Sequence, residues 1–278
     1  MMRRSLAVTV AAVAVGSAAL TGCTRTSTSD NGGGTASGSS TLNDVISRGT
    51  LKVADCLSFA PFGFKDKSGN PQGYDVDLAK QAAERLGVKL QIVDTTSDNR
   101  IPNLKTNKVD VVFCNFTENT QRAKEIAFTD PYVVAGETLL VKKTSGIKTL
   151  KDTSGKTVAT VKGSTNSQLV KQLNPKADVQ EYDTSAAAVL AVKQGQAAAM
   201  VEDSNFQAYQ AKLDPSLTVA HDSLVPLEYN GFGVRQGDQV WLNWLNLFLR
   251  EVNTDGTNRA LYHKWFGTDP TYKLQPSY

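Results

Sequence analysis

The chain has 278 residues, 40% of them hydrophobic and 21% charged, with 30 basic side chains against 27 acidic ones. So even a balance argues against a nucleic-acid binder, which carries a marked basic excess. With three cysteines, two histidines, no C-x-x-C, no G-x-S-x-G and no P-loop, the chain offers no ordinary zinc site, nucleophile elbow or nucleotide cradle, and no cofactor or metal is expected.

The first segment is punctuated by charge and small residues. Arg3 and Arg4 precede an apolar run over residues 6–20, closed by Leu20-Thr21-Gly22-Cys23. That order predicts a signal peptide over 1–22. The run is shorter than the about 20 apolar residues that span a bilayer. Arg3-Arg4 also raises twin-arginine export, which the neighbouring residues fit poorly. The small residues before Cys23 resemble the lipobox of bacterial lipoproteins, in which the cysteine sulfur is diacylated and the chain is cut in front of it. The resemblance implies a chain that begins at Cys23 and is lipid-anchored to the outer face of the cell membrane; the plain alternative is a secretory signal with an incidental cysteine. Cleavage removes two arginines and no acid, leaving 28 bases to 27 acids. Nothing after Leu20 is apolar enough to cross a membrane. Residues 23–40 are rich in Thr, Ser, Gly, Asn and Asp and predict a flexible tether, with a reach of roughly 20–25 Å.

The remaining residues, about 240, suffice for one large or two modest domains. Residues 50–54 predict a strand. Asp75 can cap a helix in which Leu78, Ala82 and Leu86 share a face and Gly87 stops the run. Residues 89–93 predict a strand, and Ser97 or Asp98 starts a short helix carrying Ile101 and Leu104. Buried strands follow at 109–114 and 139–142. Strand 157–161, the turn Gly163-Ser164-Thr165 and a helix over 168–173 form one unit. Asp183 caps an alanine-rich helix that ends near Gly195, and 197–201 is a strand. Helices over 241–252 and 258–266 close the chain, the second capped by Asp255. Alternating strands and helices imply an α/β fold with mostly parallel sheets covered by helices. The pattern repeats in two blocks, roughly 50–135 and 156–225.

In open α/β sheets, ligands bind beyond the carboxyl ends of the strands. Four groups of residues fall there. Gly163-Ser164-Thr165 opens a helix, so its N–H groups and hydroxyls suit an anion, or it is a plain cap. Arg122, near Thr117, can present a fork to a carboxylate or lie on the surface. Asp203 can pair with an ammonium group or cap the segment after it. Phe59, beside Pro61 and Phe62, can stack on a ligand, whereas Phe62 reads as core. The set is the complement of a free amino acid: carboxylate, ammonium and stem.

The motifs then resemble one family. Gly73-Tyr74-Asp75-Val76-Asp77-Leu78 with Ala82, Ala83 and Leu86 is similar to the signature of the family 3 extracellular solute-binding proteins, receptors of polar amino acid ABC transporters. Phe59-Ala60-Pro61-Phe62, Asn99-Arg100-Ile101-Pro102, Val109-Asp110-Val111-Val112, Arg122 through Phe128-Thr129-Asp130-Pro131-Tyr132, Gly163-Ser164-Thr165, Asp255-Gly256-Thr257 and Lys264-Trp265-Phe266-Gly267 match in order, over about residues 42–267.

The resemblance implies the two-lobed periplasmic-binding-protein-like (type II) fold. Each lobe is an open, mostly parallel sheet flanked by helices, and two crossing segments join them near 134–140 and 229–234. Lobe one would be 41–136 plus 231–278, and lobe two 137–230. Arg122 matches the arginine that pairs with the ligand α-carboxylate, and Thr117, Ser164 and Thr165 match hydroxyls that complete that site. Asp203 matches the acceptor of the α-ammonium, with Asn115 beside it. Phe59 matches an aromatic wall. Arg100 and Ser97 sit where acidic-amino-acid receptors hold the side-chain carboxylate. Two departures matter. Asn119 replaces the commoner hydroxyl, and Cys56 falls where a second arginine can occur, so glutamine and asparagine stay open beside glutamate and aspartate. Cys56 and Cys114 should end neighbouring strands, where an extracytoplasmic setting permits either a disulfide or two buried thiols.

The resulting expectation is a monomeric, lipid-anchored, extracytoplasmic receptor that hands a polar L-amino acid to ABC permease subunits and catalyses nothing. The rival on the same fold is a cyclohexadienyl dehydratase acting on prephenate or arogenate, with Glu202 or Glu118 as the acid. A third reading is a ligand sensor working through a separate membrane partner, since no transmembrane or signalling segment follows the domain.

Overall fold

The computed structural model describes residues 40–220, 223–271 and 274. The predicted signal peptide, Cys23 and the tether up to residue 39 lie outside the described residues.

Described elements run α1 (Thr41–Arg48), β1 (Thr50–Asp55), β2 (Ser58–Phe59), β3 (Gly63–Lys65), β4 (Pro71–Gln72), α2 (Tyr74–Leu86), β5 (Lys89–Asp94), α3 (Arg100–Lys105), β6 (Val111–Val112), β7 (Ala127–Lys142) and β8 (Thr157–Val161). They continue with α4 (Asn166–Leu173), β9 (Asp178–Tyr182), α5 (Ser185–Gln194), β10 (Ala199–Asp203), α6 (Ser204–Leu213), β11 (Leu217–Val219), β12 (Val225–Val234), α7 (Gln239–Thr254) and α8 (Thr257–Phe266). The main sheet has the order β5-β1-β6-β12-β7-β10-β8-β9, with β11 also on β7. β1 pairs in parallel with β5 and β6, and β8 pairs in parallel with β9 and β10. These two parallel groups belong to lobe one and lobe two. Between them lie β7 and β12, antiparallel to each other. Glu137 on β7 is opposite Val225 of β12 and Asp203 of β10, so β7 continues from one lobe into the other.

Position by position, the chemistry explains this path. β7 is rich in β-branched and aromatic residues, which suit a pleated surface. A side chain at Gly136 would lie 2.5 Å from the Val225 carbonyl and 2.9 Å from that of Pro226, so only glycine lets the crossing strands meet. Trp241 of α7 is fully buried and donates through Nε1 to the Asp110 carbonyl at 3.1 Å, locking the closing helix onto the first parallel group.

Four local expectations need correction. Asp75 does not cap α2: the cap is Gly73 at φ 135°, where a Cβ would stand 2.2 Å from the Phe62 carbonyl, and Asp75 is buried for another purpose. Thr184, not Asp183, caps α5, accepting from Ala187 N–H. Gly256 is the N-cap of α8, while Asp255 accepts from Thr257 N–H at 2.8 Å. The strand expected over 109–114 is short, although Asp110 and Phe113 N–H still bond to Lys52 and Ala54 of β1.

Asp77 shows what the Gly73–Leu78 motif secures. It accepts from Lys264 Nζ at 2.6 Å and Trp265 Nε1 at 2.9 Å, so α2 and α8 are tied together. Burial would raise its carboxyl, but hydrogen bonds from Lys264, Lys80 and Trp265 outweigh that and hold it below the usual range. Among the described residues no helix is long and apolar enough to cross a membrane.

Candidate ligand-binding site

The loop after β6 is the centre of the site. Asn115 has φ +41°, a left-handed conformation that asparagine tolerates better than most residues. Its backbone N–H is held by Asp75 Oδ2 at 3.0 Å and Tyr132 Oη at 3.1 Å, both buried. This is the work of Asp75: it reaches forty positions along the chain to shape the loop. Burial pushes its carboxyl up to about 7, against the lowering effect of the Tyr132 and Asn115 hydrogen bonds.

From that loop the Asn115 side chain crosses to lobe two, donating through Nδ2 to Asp203 Oδ2 at 3.1 Å. Its Oδ1 is buried without a hydrogen-bond partner among the described residues. Of the two roles raised for Asp203 the structure displays the cap: Oδ1 caps α6 through Asn205 N–H at 2.8 Å and Phe206 N–H at 3.1 Å. Burial raises its carboxyl to about 6, with the Phe206, Asn115 and Asn205 donors opposing and Glu228 adding to the rise.

Arg122 is held by backbone. Its N–H donates to Asn119 Oδ1 at 2.8 Å, so the asparagine that departs from the family pattern anchors the turn carrying the arginine. Nη1 donates to the Thr117 carbonyl at 2.7 Å, and Nη2 reaches the Gly163 carbonyl of lobe two at 3.0 Å. Arg100 Nη2 donates to the same carbonyl at 3.1 Å, with Nε on Ser97 O and Nη1 on Cys114 O. Phe116 lies beneath both guanidinium groups, at 4.1 Å from Arg100 and 4.9 Å from Arg122. Burial lowers both arginines, Arg122 to about 10, with the Arg122 guanidinium also lowering Arg100. Among the described residues neither forms an ion pair with a carboxylate, although each lies in the field of Glu202.

Lobe two opposes them with acids. Glu137 and Glu202 are buried and line the cleft. Burial, then Asp203, raises Glu202 to about 8; burial, then Glu202 and Glu228, raises Glu137 as well. Turned about its amide, Asn166 at the start of α4 donates to both Glu137 oxygens at 3.1 and 3.2 Å. Thr165 is the α4 N-cap position and makes no side-chain cap, while Ser164 Oγ accepts from Asn166 N–H at 3.3 Å.

These parts line a narrow cleft between the lobes. Its walls include Phe59, Ser97, Arg100, Asn115, Thr117, Arg122, Ser164 and Thr165, eight of the nine residues singled out for binding. Asp203 lies behind that wall, reached through Asn115. Phe59 stacks on Phe206 of lobe two at 4.4 Å and on Phe62 at 5.2 Å. Cys56 and Cys114 are joined by a disulfide, and both line the cavity. Phe116, Glu137 and Asn166 were not picked out from sequence. An acid inside the apolar stretch of β7 was the one available signal, for Glu137.

The lobes are in contact around the cleft. Gln210 Nε2 donates to Ala60 O at 3.1 Å, and Lys162 Nζ lies 3.7 Å from Asp98 Oδ2. A Cβ on Gly163, which has φ +78°, would stand 2.5 Å from the Asp98 backbone, so glycine lets this turn dock. Glu118 is not among the residues lining the cleft, and its buried Oε1 lies where a Cβ on Gly231 of β12 would come within 2.8 Å.

Comparison with known proteins agrees with this architecture. The ancestral amino acid-binding protein AncCDT-1, a precursor of cyclohexadienyl dehydratase, superposes with a TM-score of 0.78 at 42% identity, covering 82% of this chain and all of that one. Holo ArgBP from T. maritima gives 0.73 at 38% identity, over 81% of this chain and 99% of its own. These are two-lobed type II binding-protein folds. In sequence, the chain is 34% identical to the ABC transporter glutamine-binding protein GlnH of Bacillus subtilis over 214 residues, 75% of this chain and 78% of that one. It is 32% identical to the L-cystine-binding protein TcyJ of Escherichia coli over 234 residues, 83% and 87% of the two chains. Residues 51–268 match the model of the bacterial extracellular solute-binding proteins, family 3, and the chain belongs to that family.

Proposed function

We propose that this protein is an extracytoplasmic receptor that closes on a polar L-amino acid and delivers it to the permease subunits of an ABC importer. One observation carries the reading. Two arginines with no carboxylate partner among the described residues share the cleft with buried acids, and the Asn115 Oδ1 acceptor is left over. A zwitterion supplies both missing partners. Its carboxylate takes Arg122, Thr117, Ser164, Thr165 and the α4 N-terminus. Its ammonium takes Asp203 and Asn115. Phe59 covers the stem, and Arg100 and Ser97 lie at the side-chain end, where glutamate, aspartate, glutamine or asparagine would be read. The lobes are assigned as 41–136 plus 231–278 and 137–230. The protein works as a monomer held by lipid on Cys23 above the outer face of the membrane.

A thermal-shift screen of ligand-free protein against the common amino acids tests this. Binding to the folded state alone raises stability with ligand excess over Kd. A large shift with a polar amino acid is expected, and none across the panel would defeat the reading. Loss of membrane attachment in Cys23→Ala tests the anchor.

A second reading is favoured by one residue. Glu202 is a buried acid held protonated near neutrality in the cleft, which suits a proton donor to a leaving hydroxyl. Incubation with prephenate or arogenate tests it: dehydration lost in Glu202→Gln would establish an enzyme. A sensor role would require a membrane partner recovered by crosslinking in a ligand-dependent way.

A further inference from the structure

We propose that the Cys56–Cys114 disulfide is a ligand-gated redox site: a dithiol reaches it when the lobes part, and its reduction loosens the loop that holds the ligand head group. The inference rests on the amino acid cleft proposed above.

Place comes first. Cys56 follows β1 and Cys114 follows β6, parallel neighbours, with Cα atoms 5.2 Å apart. Both sulfur-bearing residues line the cleft, yet they are only 5% and 3% exposed. The opposite wall is lobe two, through Val161, Ser164 and Glu202. Moving lobe two away leaves the disulfide on the floor of an open groove. Access is one of the factors that set the rate of thiol–disulfide exchange.

Consequence comes second. The ladder already joins β1 to β6 as far as Phe113 N–H on Ala54 O. The disulfide fastens the chain one residue further on, where the loop begins. Arg100 Nη1 bonds to the Cys114 carbonyl, Asn115 sits in its left-handed turn and reaches Asp203, and the Thr117 carbonyl positions Arg122. Freeing Cys114 therefore releases the residues meant for ammonium and carboxylate together.

The chemistry closes with a dithiol as reductant. Its thiolate attacks one sulfur, the S–S bond breaks, and the expelled cysteine thiolate takes a proton. The second thiol of the reductant then displaces the mixed disulfide. Two electrons and two protons pass to the protein, giving two cysteine thiols and one cyclic disulfide.

The experiment times reduction of the full chain by dithiothreitol, with thiol trapping and mass spectrometry. It is run alone and with saturating L-glutamine, L-glutamate or L-arginine, whichever raises the melting temperature. Bound amino acid should slow reduction about tenfold, because exchange then waits for the clamp to open. The reduced protein should bind the same amino acid about tenfold more weakly, since preorganisation is lost. Cys56→Ser/Cys114→Ser should share that weaker binding and ignore dithiothreitol. Gly163→Val, whose side chain meets Asp98 and holds the lobes apart, should be reduced faster than the parent with no amino acid present; Gly163→Ala replaces it where the valine variant does not fold. That arm reads gating even when no amino acid binds, so failure of the receptor reading is separable from failure of this one. Equal reduction rates in parent, bound and Gly163 forms would overturn the proposal. So would a reduced protein that binds as tightly as the oxidised one.

Discussion

The two walls of the cleft carry opposite kinds of titratable group, bases on one and acids on the other. Lobe one presents Arg100 and Arg122, seated on Phe116, whereas lobe two presents Glu137 and Glu202, with Asp203 behind them on Asn115. The arginines approach lobe two through a neutral carbonyl, that of Gly163. Neither arginine meets a carboxylate across the cleft; the one cross-lobe ion pair among the described residues is Lys162 with Asp98, at 3.7 Å. On the reading proposed above, a small dipolar molecule between the walls would add its own carboxylate and ammonium to the contacts that already join the lobes. The price is burial strain on both sides, visible in arginines pushed down and acids pushed up.

The comparison breaks most completely at Arg122. Arg122→Ala should weaken amino acid binding about 100-fold or more, measured by calorimetry, because the ligand carboxylate would lose its bidentate partner in a dry site. Arg122→Lys should recover only part of this, since an ammonium lacks the planar fork. On the other wall, Asp203→Asn should cost roughly tenfold to 100-fold. Part of that change will register as lower stability, because Asp203 also caps α6.

Acidity should sharpen the same contrast. An ammonium needs Asp203 ionised, and the residue's folded value stands at about 6. Below that pH, binding must expel a proton, so affinity should fall about tenfold per pH unit. The ligand-free protein should show the opposite trend from these acids. With Asp203, Asp75 and Glu202 raised to about 6, 7 and 8, the folded state binds more protons than the unfolded one. Their contribution to stability is fully present below the ordinary carboxylate range and is lost as pH rises through 6 to 8. Melting curves with and without amino acid across that window check both signs.

Smaller effects separate head from side chain. Gly163→Ala should weaken binding about tenfold by obstructing the docked turn and straining a left-handed residue. Ser97→Ala should shift preference among amino acids by about two- to tenfold, the scale of one hydrogen bond. Arg100→Ala distinguishes two roles. A uniform loss over all amino acids would mark it as part of the closure contact at Gly163, whereas a loss confined to acidic ones would mark it as the side-chain reader.

Much of this was legible along the chain because local rules and ordered motifs carry it. The alternation of strands and helices, the caps at Gly87 and Gly195, and the strand-end positions of Thr117, Gly163–Thr165 and Asp203 are local. What escaped depends on long-range contact. Asp75 resembles a helix cap in sequence, and only folding puts Asn115 above it. The strand expected over 139–142 is the end of a longer one, and β7 starts at Ala127 and runs through Pro131 and Gly136: Pro131 sits at a bulge opposite Gly231, and Gly136 lets β12 approach. Phe116 lay between motifs, and nothing in its spacing announced a platform for two arginines.

The most direct test of the divided charge is calorimetric titration of the ligand-free protein. The ligands are the amino acid with the largest thermal shift, its decarboxylated amine and its deaminated acid. If one wall reads each charge, the intact amino acid binds tightly and each truncated form loses about 100-fold or more. An analogue lacking one charged group that still binds within a few-fold of the parent would show that one wall suffices, and would contradict the account.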